Sequence, residues 1–195
     1  AFTNSGRQDP RLGPDQKLAH ILQRQFRGYR NNDPGTKHQQ AIPFTLIGKL
    51  VEERTFQPAR ICFQQLYLLG FFFAMRGCET FYMDPKQERR TDPLRLRNFQ
   101  FIKDHRVIPI TSQIIETANS VTITFEFQKK DLRNDSITQS ASGHAWACPV
   151  KAAAAVVRRM QALKLKEDDF VYTYVDSASG EETYFLTDKL ARTLL

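Results

Sequence analysis

The residues best suited to chemistry lie between Phe71 and Glu79, where a nearly unbroken apolar run ends in an arginine. Arg76 carries a permanent positive charge, and Glu79 places a carboxylate three residues further along the chain. A desolvated guanidinium is costly unless it is paired, and its planar fork fits a phosphate or a carboxylate in a two-point contact. Two interpretations stay open: Arg76 and Glu79 form a structural salt bridge, or both await an anionic ligand.

Other catalytic chemistries lack their usual residues. The four histidines His20, His38, His105 and His144 are scattered, and no Cys-x-x-Cys occurs, so no group has the spacing of zinc ligands. The Gly-x-x-x-x-Gly-Lys and Gly-x-Gly-x-x-Gly loops that cradle nucleotide phosphates are also missing from the sequence. We therefore expect neither a metal centre nor a nucleotide cofactor.

The charge balance favours a polyanionic partner. The 195 residues carry a formal charge of +7, and a sequence pI near 9.5 goes with it. Basic side chains that neutralise phosphates release condensed counterions, which makes nucleic acid the first partner to consider. A basic surface that serves only solubility is the alternative, and a membrane surface is the weaker rival. The length suits one main folded domain.

The cysteines and the apolar runs indicate a compartment. Cys62, Cys78 and Cys148 are odd in number and widely spaced among apolar neighbours, which suits free thiols in a reducing compartment. The most apolar run, Leu66 to Met75, is far shorter than the roughly 20 residues of a membrane span. The amino-terminal residues show no signal-peptide hydrophobic region. We expect a nuclear or cytoplasmic protein without a membrane partner.

Five segments have the spacing or the start signals of helices. They are 18–29, Pro43 to about Arg54, about Ala59 to Met75, a helix that opens at Pro149, and a last helix with Thr187 as its N-cap. The first carries basic residues that are either a solvated face or phosphate contacts: Lys17, Arg24, Arg27 and Arg30. The second should bury Phe44, Ile47, Leu50 and Val51, and the third is apolar nearly all round, as expected for the central helix of a domain.

Strands are predicted where side chains alternate. Leu94–Arg97, Phe99–Phe101 and Val121–Phe127 alternate in this way. Residues 131–135 then supply turn-forming side chains, and 136–139 can return as the second strand of a hairpin. The predicted fold class is mainly α with a small antiparallel β-sheet, an α+β arrangement.

These features in this order resemble the front part of a tyrosine recombinase (integrase-type) catalytic domain. The segment Phe71–Glu79 looks like that family's first signature box, an apolar helix ending in small-x-Arg-x-x-Glu. Ile42-Pro43-Phe44-Thr45 opens a helix before it, and a strand and a lysine-bearing hairpin follow it, as in the family. The Ala-Met-Arg-x-Cys-Glu sequence and the later Cys-Pro-Val helix resemble recombinase-like proteins of eukaryotic mobile elements.

The resemblance implies roles for individual residues. Arg76 would grip the scissile phosphate, Glu79 would buttress Arg76, and Lys129 at the hairpin would protonate the leaving 5′ oxygen. The chemistry supports such a role, because expelling an alkoxide needs a proton donor, although a solvated turn lysine is the alternative. Nearby cations are candidates for DNA binding: Lys130, Arg133, Arg89 and Arg90.

The resemblance also implies a domain division and a function. Residues 1–36 look like the end of a DNA-clamping helical arm with its linker, and 37–195 like the first part of the catalytic domain. The family continues with His-x-x-Arg and a nucleophilic tyrosine, which do not occur before Leu195; His144-Ala145-Trp146-Ala147 is a different motif, so no nucleophile is assigned.

The implied protein is a fragment of a site-specific recombinase that breaks and rejoins double-stranded DNA through a phosphotyrosyl link, without metal or ATP. This segment alone should not cut DNA, and copies of the protein could assemble into a homo-oligomer on it. Two alternatives remain: a domesticated, non-catalytic module that binds DNA or protein, or an unrelated α+β domain in which Arg76 and Glu79 are a core ion pair.

Overall fold

The fold was obtained as a computed structural model that describes Leu12 and residues 22–25, 43–83, 91–128, 132–176 and 182–194. The chain divides into two units, Ala1–Ala41 and Ile42–Leu195. In the first unit, residues 22–25 form a helical turn within the predicted helix 18–29. The rest of that helix lies outside the described residues, and so does the predicted domain boundary after residue 36, which stays a prediction.

Two consecutive helices open the second unit. Helix α1 spans Phe44–Glu52, and helix α2 spans Pro58–Phe73. A proline lies at the start of each helix. Pro43 is the N-cap of α1, and Pro58 occupies the first turn of α2, where an N–H would have no partner within the helix. Phe44 was expected to be buried, and this was wrong, because it lies in the first turn with 52% of its surface exposed.

Helix α2 ends two residues earlier than its apolar pattern predicts. Ala74 adopts a left-handed conformation with φ of 51°, and the N–H of Met75 donates to the carbonyl of Gly70 at 3.0 Å. This reversal is a common way to satisfy the last carbonyls of a helix. Arg76 therefore stands after the helix and not on it.

Three further helices follow within the described residues. They are α3 (Gly77–Thr80), α4 (Pro149–Ala162) and α5 (Asp188–Leu194). The predicted N-cap of α5 is confirmed, because Thr187 Oγ1 accepts the N–H of Leu190 at 3.1 Å. Helix α4 starts at Pro149 as predicted, and its closely spaced alanines let it pack tightly against its neighbours.

The strands form two small antiparallel sheets. The first has four strands in the order β2-β1-β3-β4, and the second has the two strands β5 and β6. Their bounds are β1 Phe99–Lys103, β2 Arg106–Ile108, β3 Ser120–Gln128, β4 Leu132–Ser140, β5 Thr173–Val175 and β6 Thr183–Phe185. The predicted combination of helices with a small antiparallel sheet is confirmed. Sequence alternation did not reveal β2, β5 or β6.

Two local predictions about the sheet were wrong. Leu94–Arg97 does not form a strand, because the Asn98 side chain accepts the N–H of Arg95 at 2.7 Å and winds 96–98 into a 3-10 helical turn. The hairpin turn is also shorter than expected. Strand β4 already begins at Leu132, and Asp135 pairs with Phe125 on β3.

The hydrophobic core lies between helices α2 and α4 and the inner face of the four-stranded sheet. Alternate residues of β1 and β3 point into it, as the period of two requires. Its fully buried members include Cys62, Phe63, Leu66, Leu69, Phe101, Val121, Ile123, Val150, Val157 and Met160. Among the described helices, none is both long enough and apolar enough to cross a membrane.

Candidate functional site

The candidate site is the turn between α2 and α3, where Arg76 is the N-cap residue of α3. The backbone N–H of Arg76 donates to Glu79 Oε2 at 2.8 Å, and the N–H of Glu79 donates back to the carbonyl of Arg76 at 2.9 Å. These reciprocal bonds close the turn in the manner of a capping box. The spacing of three residues between Arg76 and Glu79 is what allows this closure.

The charge that is buried in this turn is the carboxylate. The side chain of Glu79 is 3% exposed, whereas that of Arg76 is 55% exposed. The expectation that Arg76 is a buried charge was therefore wrong. Arg76 is exposed because Ala74 adopts a left-handed conformation, which ends α2 before Arg76.

The Arg76–Glu79 ion pair is loose. Arg76 Nη1 lies 3.5 Å from Glu79 Oε1, which is longer than an ordinary charge-assisted hydrogen bond. Within the described part of the chain, Glu79 Oε1 is buried and receives no hydrogen bond. The structural pair therefore exists, and the half-exposed guanidinium is still accessible to an anion from solvent.

Several contacts hold α3 to the segment 91–94. The N–H of Leu94 donates to the carbonyl of Glu79 at 3.0 Å, and Thr91 Oγ1 donates to Cys78 Sγ at 3.0 Å. Since α3 has only four residues and little stability of its own, these contacts fix the position of Glu79.

The same segment reaches the hairpin formed by β3 and β4. The N–H of Asp92 donates to the carbonyl of Phe127 at 3.0 Å, and Phe127 lies two residues before Lys129 in the sequence. The turn end of the lysine-bearing hairpin is thus joined, through residues 91–94, to the helix that carries Glu79.

The other predicted site residues have different outcomes. Arg133 lies on β4, is exposed, and places its guanidinium carbon 5.6 Å from the centre of the Phe127 ring. Lys129, Lys130, Arg89 and Arg90 lie outside the described residues, so their predicted roles stay predictions.

Helix α5 brings to this site residues that the sequence analysis missed. The N–H of Tyr82 donates to the carbonyl of Leu186 at 2.9 Å, and the N–H of Asp188 donates to the carbonyl of Tyr82 at 3.1 Å. Asp188 in turn pairs with Arg192 at 2.9 Å. In the sequence, only the spacing of four residues between Asp188 and Arg192 on a predicted helix could have indicated this pair.

Other arginines of the sheet and core are occupied by protein groups. Arg97 bonds both oxygens of Glu126, at 2.8 and 2.9 Å, and also pairs with Asp168. Hydrogen bonding from Arg97 lowers the pKa of Glu126 to about 2. This arginine is a surface cross-link and not an anion receptor.

Arg159 on α4 is partly buried and reaches both α2 and the start of the second sheet. It donates to Gln65 Oε1 at 2.8 Å, to the carbonyl of Val171 at 2.6 Å, and to the carbonyl of Thr173. Desolvation lowers the pKa of Arg159. Burial also raises the pKa of the neighbouring Cys62 thiol to about 11, with Arg159 opposing part of that rise. Arg159 therefore ties the second sheet to the helical core.

An apolar cleft of about 200 Å³ lies beside the turn. Its lining is Leu66, Tyr67, Gly70, Phe71, Met75, Gly77, Thr80 and Phe81. Such a lining suits a hydrophobic group better than a phosphate. In the described residues, no three His, Cys, Asp or Glu side chains lie together in a way that could hold a metal ion.

Comparison with protein-family models, with curated proteins and with solved structures gave no match. The interpretation of the site consequently depends on its own geometry and chemistry.

Proposed function

We propose that this chain is the phosphate-gripping part of a tyrosine-recombinase-type catalytic domain that breaks and rejoins double-stranded DNA. The observation that carries the proposal is the arrangement of Arg76 and Glu79. A half-exposed guanidinium lies 3.5 Å from a buried carboxylate. A guanidinium placed in this way can donate two parallel hydrogen bonds to a phosphate while the carboxylate attracts it electrostatically from the protein side.

In this proposal three residues have separate roles at one phosphodiester. Arg76 binds the scissile phosphate and stabilises the negative charge that develops on it. Glu79 orients Arg76, and Lys129 protonates the 5′ oxygen as it leaves. The hydrogen bond from Asp92 to Phe127 supports this assignment, because it joins the turn end of the hairpin to the segment that fixes Glu79. The attacking tyrosine is not assigned to any residue of this chain.

The net charge of the chain and the availability of Arg76 support a nucleic-acid partner. The net charge is +7, and Arg76, unlike Arg97 and Arg159, is not held by several protein acceptors at short range. The three cysteines are free thiols, which fits a nuclear or cytoplasmic protein.

The test is the affinity of the chain for a fluorescein-labelled duplex, measured by anisotropy over a range of salt concentrations. Arg76→Ala should weaken binding and should reduce the slope of log K against log salt by about 0.9, the loss of one phosphate contact. Arg106→Ala is the matched control, because it removes the same charge from an exposed position on β2, opposite Lys103 at the end of β1. Equal slopes for the two variants would refute the proposal.

A non-catalytic protein-binding module is the second candidate, and an exposed aromatic surface favours it. Phe44 stacks on Trp146 with ring centres 5.1 Å apart and lies 6.1 Å from Phe71, which is also exposed. Exposed apolar patches of this kind often mark protein contacts. DNA binding that is absent, or that does not respond to salt, would favour this second function.

A further inference from the structure

The loop between α1 and α2 presents an exposed phenylalanine. Phe56 has 96% of its surface exposed, more than any other large apolar side chain among the described residues. The N–H of Gln57 donates to Thr55 Oγ1 at 3.2 Å, and Pro58 begins α2 directly afterwards. A phenyl ring in water lacks the favourable free energy that burial would give it, so this ring is suited to insert into a partner.

The loop that carries Phe56 is fixed at both ends. Gln64 Nε2 on α2 donates to the carbonyls of Leu50 and Glu53 at 3.0 and 2.9 Å. Arg60, also on α2, pairs with the Glu53 carboxylate at 2.6 Å. These contacts join the end of α1 to the first two turns of α2. The position of Phe56 is therefore set before any partner binds, which lowers the entropic cost of association.

A small cleft lies beside this loop. It has a volume of about 140 Å³, and its lining is Leu46, Lys49, Leu50, Glu53, Arg60, Tyr67 and Leu194. An apolar cavity of about 150 Å³ is large enough to bind benzene, so the cleft has room for one phenyl ring. Glu53 precedes Phe56 by three residues, and three residues of chain span at most about 11 Å. The exposed ring and the cleft therefore belong to one surface.

We propose that two copies of the chain associate through this surface, with Phe56 of each copy inserted into the cleft of the other. A twofold interface requires one patch that complements itself, and an exposed ring beside a cleft of matching size meets this requirement. The rim of the cleft carries both signs of charge, because Lys49 is exposed and Glu53 is partly exposed. Two identical rims can therefore pair a base with an acid. None of these residues is assigned to the phosphate site, so the dimer is tested independently of the proposed function.

The experiment is sedimentation velocity of the 195-residue chain over a range of concentrations, which yields the dimer dissociation constant. Phe56→Ser removes both inserted rings and should weaken dimerisation by about a hundredfold, on the order of tenfold for each buried aromatic anchor. Val107→Ser is the control, because it removes another exposed apolar side chain, from β2, and it should leave the constant unchanged. Urea unfolding midpoints of both variants should match the wild type, since both side chains are exposed.

Mixing two defective variants tests the reciprocal geometry. Leu46→Glu places a charge in the cleft while Phe56 stays intact, and Leu46 is 41% exposed, so the fold should tolerate the change. This variant should also dimerise poorly with itself. In a mixture with Phe56→Ser, the ring of the Leu46→Glu chain meets an intact cleft, which restores one of the two insertions. The mixed dimer should therefore form about tenfold more tightly than the dimer of either variant alone.

Three results would overturn the proposal. A wild-type chain that stays monomeric at its highest soluble concentration would leave a different protein as the occupant of the cleft. A dimer that Phe56→Ser does not weaken would show that the copies associate through another surface. Two weakened variants whose mixture shows no recovery would show that the rings do not insert reciprocally.

Discussion

Removing Arg159 should destabilise the fold more than removing any exposed arginine, because its guanidinium donates three partly buried hydrogen bonds. Its contacts are Gln65 Oε1 at 2.8 Å, the Val171 carbonyl at 2.6 Å, and the Thr173 carbonyl. Gln65 belongs to α2, whereas Val171 and Thr173 lie at the start of the second sheet. The substitution Arg159→Ala therefore removes these hydrogen bonds between the two parts.

The size of the effect follows from the acceptors that lose their donor. Each buried carbonyl left without a hydrogen bond costs about 1–3 kcal/mol. The vacated side-chain volume adds a packing loss, and the relief of burying a charge offsets part of the sum. We expect Arg159→Ala to lower the free energy of unfolding by about 3–5 kcal/mol. Arg159→Met should recover only the packing part, because it restores volume without donors.

The assay is urea unfolding followed by circular dichroism and by the fluorescence of Trp146, the single tryptophan of the chain. Arg158→Ala is the control, because it removes the adjacent arginine, which also donates to backbone carbonyls. Arg158 is 26% exposed and donates to the carbonyls of Ser112 and Gln113, so its loss should cost about 1 kcal/mol. A loss of stability for Arg159→Ala that is no larger than this control would refute the assigned structural role.

Two further predictions concern pH and the loop before α4. Hydrogen bonding to Arg97 depresses the pKa of Glu126 from 4.5 to about 2, so its contribution to stability is present above pH 4.5 and is lost as the pH falls toward 2. The unfolding free energy of Glu126→Gln should consequently fall less steeply over that window, and identical slopes would contradict the assignment. His144 Nδ1 accepts the N–H groups of Trp146 and Ala147 at 3.4 and 3.1 Å, so His144→Ala should cost about 1 kcal/mol and shift the Trp146 emission to the red. An unchanged emission spectrum would show that this loop is held by other contacts.

Local patterns in the sequence were sufficient to predict several elements. The apolar spacing predicted α2 and α4, the alternation from Val121 to Phe127 predicted β3, and Thr187 predicted the start of α5. In each case the signal and the structure depend on the same short stretch of chain. The fold class follows from these elements, because long amphipathic helices and a few alternating strands define an α+β arrangement.

Where a prediction from the sequence was wrong, the deciding contact was either a single backbone reversal or a distant residue. Leu94 and Leu96 are buried as their alternation suggests, but the Asn98 side chain bends that stretch out of strand geometry. The exposure of Arg76 depends on one left-handed residue, Ala74, whose type gives no warning of it. Strands of three residues, such as β5, are also too short for a periodic signal.

The candidate site was predicted only in part for the same reason. The spacing of Arg76 and Glu79 was visible, and their pairing is confirmed at 3.5 Å. The approach of Asp188 requires Tyr82 to bond a segment about a hundred residues later in the chain, and single-residue patterns carry no information on such long-range pairings. Asp188 was therefore absent from the predicted site.

The most direct test of the central claim is to observe the arginine side chains by NMR while duplex DNA is added. The Nε–Hε signals are recorded on protein with ¹⁵N-labelled arginine, and Arg76→Lys identifies the signal of Arg76. We predict that the Arg76 signal shifts and exchanges more slowly with water as DNA is added, while the signals of Arg97 and Arg159 stay in place because protein acceptors already hold them. An Arg76 signal that does not move when the duplex binds would contradict the account.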